Sequence, residues 1–162
     1  MKQRKTIVLT GANGFCASRA HAALQREYDV VALTRAALDI TDRDACLKMM
    51  DEVKPSAVIH SAAVADMRAC EADPELSFRV NVLGAENIAL ASAEAKAMLI
   101  HFSTDQVYSG TLSPAPHGEG TVLDSKSVYG RHKQQAEECI ARVGGRYAAI
   151  RLTWVYDFPV RN

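Results

Sequence analysis

Tyr129 and Lys133 stand four residues apart in Tyr129-Gly130-Arg131-His132-Lys133. On a helix that spacing puts a phenol and an ammonium on one face. Ala136, Ile140 and Val143 continue the same face, which therefore points inward, where a lysine is costly without a partner or a task. A free tyrosine ionises near pH ~10. A neighbouring ammonium favours the phenolate, so Lys133 is expected to lower that value and make Tyr129 a proton donor and acceptor near neutral pH. Phe102-Ser103-Thr104-Asp105 closes an apolar run. At the carboxyl end of a strand the Thr104 hydroxyl can donate to a substrate carbonyl oxygen, with Asp105 beside it on the substrate side. A lone Ser or Thr there is more commonly a turn or cap residue. The combination of the three side chains, not any one of them, carries the weight.

Thr10-Gly11-Ala12-Asn13-Gly14-Phe15-Cys16-Ala17 follows the first apolar run and opens a helical stretch. Gly11 suits the tight turn and Gly14 a close approach of backbone to a pyrophosphate. Asn13 and Phe15 flank that approach, and the helix N-terminus adds N–H groups and partial positive charge. Ala17 replaces the third glycine usual in such turns and slightly crowds the helix–strand contact. After the second apolar run stands Thr34-Arg35, where an NAD site often has an acidic residue. Arg35 can pair with a 2′-phosphate, which tilts the cofactor from NAD(H) towards NADP(H). Its alternative is a solvated surface charge.

These side chains need a scaffold, and the sequence alternates accordingly. Apolar runs at 6–10, 29–34, 57–62, 97–104 and 147–156 are mostly continuous, as in strands buried on both faces of a parallel sheet. Between them, Thr41-Asp42-Arg43-Asp44 reads as a capping box for a helix to about Val53. Asp73-Pro74 opens a long helix towards Ala95, and Ser125 or Ser127 caps one running to Val143 before Gly144-Gly145. Such alternation predicts one α/β domain, a doubly wound parallel sheet of the Rossmann type. The segment 108–126 is a long irregular loop of the sort that usually serves a site.

Composition narrows the function. The 162 residues contain 48% hydrophobic and 23% charged residues, ordinary for a globular domain. Nineteen basic residues balance nineteen acidic ones and aromatics are 6%, which argues against nucleic-acid or membrane-surface partners. Cys16, Cys46, Cys70 and Cys139 show no paired spacing and read as buried thiols of a cytoplasmic protein. The basic start Met1-Lys2-Gln3-Arg4-Lys5 leads into an apolar run too short for a signal or spanning segment. His60 and His101 fall in strands far from other ligand types, so they read as core or cofactor-loop residues and no metal is expected. Asn81, poorly suited to a helix interior, wants a hydrogen-bonding reason; a backbone or water contact near the site and an exposed position are equally open.

The segments TGANGF (10–15), LDITD (38–42), HSAA (60–63), CEADPELSFRVNVLGAENIA (70–89), FSTDQVYSG (102–110), SVYGRHK (127–133) and IRLTWVY (150–156) together resemble the extended short-chain dehydrogenase/reductases. Within them the chain is most similar to the dTDP-4-dehydrorhamnose reductases and related sugar-nucleotide reductases. The resemblance implies sheet order 3-2-1-4-5-6 with Leu38–Ile40 as a very short edge strand. It implies that Thr104 binds the keto oxygen, Tyr129 delivers the proton, and Lys133 holds the nicotinamide ribose. Asp39 and Ile40 would line the adenine site, and Ala62 and Ala63 would pack along the cofactor. The implied reaction is NAD(P)H-dependent reduction of the C4 ketone of a dTDP-4-keto-6-deoxy sugar, with a homodimer left open for a full-length parent. Two departures stand out: Gln106 replaces the aromatic residue usual after Ser-Thr-Asp, and the chain stops at Asn162. The expectation is a nucleotide-binding domain over 1–162 that lacks the substrate-binding part, binds NAD(P)H and turns over weakly or not at all. A non-catalytic dinucleotide-binding relative and a nucleotide-sugar epimerase or dehydratase remain as alternatives.

Overall fold

The structure, a computed structural model, describes residues 4–156; the basic start at Met1–Gln3 and the chain end at Asn162 lie outside them. Five strands form a single parallel sheet: β1 (Thr6–Thr10), β2 (Asp29–Leu33), β3 (Ala57–His60), β4 (Met98–Thr104) and β5 (Tyr147–Leu152). Their order is β2-β1-β3-β4-β5. That is the doubly wound arrangement the sequence implies, with one correction. Leu38–Ile40 is not an edge strand. Its backbone is consumed locally: Leu38 N–H bonds to the Thr34 carbonyl, Asp42 N–H to the Asp39 carbonyl, and Asn87 Nδ2 donates to the Ile40 carbonyl at 3.0 Å. Leu38 and Ile40 are buried, so the segment folds back as a turn that plugs the core instead of extending the sheet.

Helix α1 (Phe15–Leu24) lies against Ile7, Leu9 and Ile59 through the fully buried Ala17. The extra methyl that replaces the third glycine is therefore accommodated as core. On the other face α2 (Arg43–Val53), α5 (Gly84–Glu94) and α6 (Val128–Val143) cover Val8, Val58 and Leu99 with Met50, Ile88 and Ile140. Burying a side chain such as Ile88 or Met50 contributes roughly 1.5–3 kcal/mol. The short α3 (Met67–Ala72) and α4 (Pro74–Phe78) precede α5.

Sequence signals set several helix ends. Asp42 Oδ1 accepts from Ala45 N–H at 2.9 Å to start α2, and Ser127 Oγ accepts from Gly130 N–H at 3.0 Å to start α6. The helix expected from Asp73 to Ala95 is interrupted by a π-helical turn at Arg79–Leu83. Asn81 sits in that turn, buried, and grips the chain after β3: Oδ1 accepts from Val64 N–H at 2.8 Å and Nδ2 donates to the Val64 carbonyl at 3.0 Å. That is the backbone contact the sequence left open. Gly84, which follows, lies where a Cβ would be 2.7 Å from Ile40 Cδ1, so its lack of a side chain lets α5 close over the Leu38–Ile40 turn.

Candidate functional site

Two adjoining cavities, each about 500 Å³, lie beyond the carboxyl ends of the strands. Gly14, Ser61 and Ala63 line both, so they form one groove with two ends. The first end is bounded by Gly11, Asn13, Thr34, Arg35, Asp39 and Ile40, with Ala62 and Ala63 along its floor. The second holds Phe15, Thr104, Asp105, Tyr129 and Lys133, again with Ala63. Every residue named above for the catalytic set, the cofactor or the substrate therefore lines the groove, whereas His60, His101 and Asn81 do not. Gln106 lines the second end where an aromatic residue is usual.

The centre of the groove is built for an anion. Gly11 adopts φ +68°, and a Cβ there would stand 2.7 Å from the Ala62 amide nitrogen, so only glycine lets the first turn lie against the segment after β3. Helix α1 then begins with Gly14 as its N-cap, with no side-chain capping bond and no acidic residue in its first turn. Gly14, Phe15 and Cys16 line the groove there, and a helix N-terminus without a side-chain cap is the usual cradle for a phosphate.

At the first end, Asp39 is fixed by Thr41, whose amide and hydroxyl donate to Oδ1 at 2.9 and 2.8 Å. Those bonds hold its carboxyl below the ordinary value, with Arg35 adding to the effect. Arg79 lines this end as well, as Arg35 does. It comes from the π-helical turn, and nothing local in the sequence marks it as a groove residue.

At the second end, Ser127 and Glu71 fix the start of α6; Glu71 Oε1 accepts from Val128 N–H at 2.7 Å. Gly130 permits α6 to pack close to the turn after β4, since a Cβ there would be 2.7 Å from the Gln106 carbonyl oxygen. Thr104 ends β4, and its Oγ1 caps the following 3₁₀ turn by accepting from Gln106 N–H at 3.2 Å. The cap reading does not exclude a site reading of Thr104, since Thr104 lines the same cavity as Tyr129.

The proton affinities differ from the sequence expectation. Tyr129 is held above its ordinary value, chiefly by burial and then by Cys70, with the nearby Thr104 side chain opposing. Lys133, which the spacing brings near, is not among the causes of that shift. Lys133 is buried, its Nζ lies 3.0 Å from His101 Nε2, and burial lowers it to about 7 while Glu137 opposes that shift. Tyr129 is consequently a neutral phenol, a proton donor, at neutral pH.

His101 is the residue the sequence reading missed. It is buried in β4 as foreseen, yet it touches Lys133 directly. A signal was available: His60 and His101 are polar interruptions of otherwise apolar runs. Among the described residues no group of three or more His, Cys, Asp or Glu side chains could hold a metal ion, and no helix is long and apolar enough to cross a membrane.

Comparison with known proteins places this geometry among relatives. The family model described as RmlD substrate binding domain matches residues 5–162. Spore coat polysaccharide biosynthesis protein SpsK of Bacillus subtilis is 32% identical, the match covering 96% of this chain and 55% of that protein. The dTDP-4-dehydrorhamnose reductase of Mycobacterium tuberculosis is 33% identical over 93% of this chain and 50% of its own length. The chain thus spans about half the length of these curated relatives. Among solved structures, a dTDP-4-dehydrorhamnose reductase from Bacillus anthracis in complex with NADP superposes with a TM-score of 0.91 at 28% identity, covering 96% of this chain and 56% of that one.

Proposed function

Because this chain belongs to the RmlD substrate binding domain family, we propose that it is the NADPH-binding and proton-delivering part of a sugar-nucleotide reductase. The substrate class is a dTDP-4-keto-6-deoxy sugar reduced at its C4 ketone. The names of the relatives support the substrate class. The observation that carries the reading is the continuous groove: the glycine turn and helix N-terminus lie in one end, and Thr104, Tyr129 and Lys133 in the other.

The dinucleotide fits the residues present. The open amides of α1 and the glycine turn receive the pyrophosphate, and Asp39, Ile40 and Ala62 flank the adenine end. Arg35 and Arg79 offer two guanidinium groups to a 2′-phosphate, which favours NADPH over NADH. Bound NADPH supplies the hydride. Thr104 donates to the keto oxygen, and Tyr129, kept protonated by burial, gives that oxygen its proton. Lys133 holds the nicotinamide ribose from the floor of the groove. A cytoplasmic site of action suits a step that draws on NADPH.

The whole of residues 1–162 acts in this reading as one dinucleotide-binding domain. Its relatives extend to about twice this length, so turnover by these residues alone is expected to be slow. Y129F separates a catalyst from a dinucleotide-binding relative without chemistry. It should bind NADPH as the parent does and lose at least about 100-fold in the rate of NADPH oxidation with the keto sugar, the usual share of a general acid. A parent protein that binds NADPH, with a Y129F rate no lower than the parent's, would remove the catalytic part of the reading.

A further inference from the structure

Across the face of the sheet covered by α5 and α6, the strand register sets residues in rows. Val8, Val58 and Leu99 are partners on β1, β3 and β4 and form an apolar row in the core. Two residues further along the same face, the partners are Thr10, His60 and His101, all of them buried. A row of three polar side chains at that depth is costly unless each is matched. The row is joined but only partly matched: Thr10 Oγ1 lies 2.7 Å from His60 Nδ1, the His60 and His101 rings pack 5.3 Å apart, and His101 Nε2 lies 3.0 Å from Lys133 Nζ, while His60 Nε2 and His101 Nδ1 have no hydrogen-bond partner among the described residues. Thr10 is also the residue from which the glycine turn departs, and its Oγ1 accepts from Ala62 N–H at 3.4 Å.

We propose that His101 is a positioning residue for Lys133: its Nε2 accepts from the lysine ammonium and, braced by His60 and Thr10, fixes that ammonium at the floor of the cofactor groove. An ammonium can only donate, so Nε2 must be the unprotonated nitrogen and Nδ1 must carry the ring proton. The groups facing Lys133 are Glu137 on its own helix and the two histidines of the sheet. Burial keeps both imidazoles neutral, His60 down to about 3 and His101 well below its ordinary range, which preserves the acceptor. Glu137 is engaged with Arg151 and Ser103, which leaves His101 as the acceptor with a hydrogen-bond contact to Lys133. Lys133 thereby connects, through the row, to the strand end that carries the glycine turn at the opposite end of the groove.

This inference rests on Lys133 holding the cofactor, so its test carries an arm for that premise. NADPH is titrated, at pH 6.5, into the unaltered protein, H101L, H101Q, K133M and the H101L/K133M double variant. K133M and H101L should each weaken binding by about tenfold, the scale of one hydrogen bond to a charged group. H101Q, whose amide oxygen can take the place of Nε2, should stay within about threefold. The double variant should be no weaker than K133M, because both changes remove one contact. If H101L binds as tightly as the unaltered protein, or its full loss adds to that of K133M, the inference is overturned while the cofactor reading stands. If the unaltered protein does not bind NADPH, the cofactor reading falls, and the tautomer of His101 still decides the contact. Long-range ¹H–¹⁵N spectra at pH 6.5 should show His101 as the Nδ1–H form, with its Nε2 signal displaced in K133M. An Nε2–H ring or a doubly protonated one overturns the proposal, as does an Nε2 signal unmoved in K133M.

Discussion

Arg151 of β5 grips Glu137 of α6 with two nitrogens: Nη2 lies 2.6 Å from Oε2, and Nε lies 3.1 and 3.2 Å from the two carboxylate oxygens. The same carboxylate accepts from Ser103, the neighbour of Thr104, and Arg151 also donates to the Tyr108 hydroxyl. One ion pair therefore ties together α6, two strand ends and the loop after β4. Removing the arginine in R151M strands a carboxylate only 10% exposed. The cost should be about 2–4 kcal/mol, larger than for an exposed pair. Urea unfolding of R151M at pH 7 checks this, with a loss under about 0.5 kcal/mol marking the pair as a surface one.

Acid should weaken the fold before any carboxylate titrates. His60 and His101 have folded-state values below their unfolded ones, so below pH 6.5 the unfolded chain binds protons that the folded chain refuses. Their stabilisation is present in full above pH 6.5 and is lost progressively as pH falls from there towards about 3 for His60. Between pH 6.5 and 4.5 each histidine contributes a slope of at most about 1.4 kcal/mol per pH unit. Urea unfolding across that window should show the decline, and a flat profile would place both rings in contact with water.

Lys133 acts with the same sign in a higher pH window. Its folded value is lowered to about 7, so between pH 7 and its unfolded value the unfolded chain holds more protons and stability gains from this group as pH rises. The window to read is pH 7 to 8.5, below the range where Cys46, pushed up to about 12 by burial, begins to subtract. K133M should remove this rise and stabilise the protein at pH 6 by roughly 1–3 kcal/mol, since a buried charge gives way to an apolar chain. Thermal unfolding of K133M and its parent at pH 6 and pH 8.5 tests both parts; equal differences at the two pH values would refute the assignment.

Gly11 is the position where the groove tolerates least. G11A combines a left-handed φ with a Cβ 2.7 Å from backbone, neither of which a side-chain rotation relieves. It should cost about 2–3 kcal/mol and weaken NADPH binding by more than tenfold in the protein that remains folded. Calorimetric unfolding together with nucleotide titration of G11A measures the two effects separately.

Much of this was legible in the sequence because it is local. Asp42 and Ser127 announce their helices by capping; Tyr129 and Lys133 share a face by spacing; Gly11 and Gly14 mark a strand-to-helix turn. What stayed hidden depends on partners far along the chain. Leu38–Ile40 has an apolar alternation suited to a strand, yet contacts from Asn87 and Cys46 to the Ile40 carbonyl hold it as a turn. Arg79, in the π-helical turn, lines the groove from a position no local motif marks, and His101 meets Lys133 across 32 residues. The direction of the Tyr129 shift was missed for the same reason: spacing reports that a lysine is near, and burial decides whether its charge is felt.

Binding of the dinucleotide itself is the most direct measurement. Calorimetric titration of the protein with NADPH and with NADH should give one site per chain, with NADPH tighter by about tenfold or more through the guanidinium groups of Arg35 and Arg79. In the double variant R35S/R79S that preference should shrink to near parity. Absence of saturable heat with either nucleotide, in protein shown by circular dichroism to be folded, would contradict the assignment of the groove.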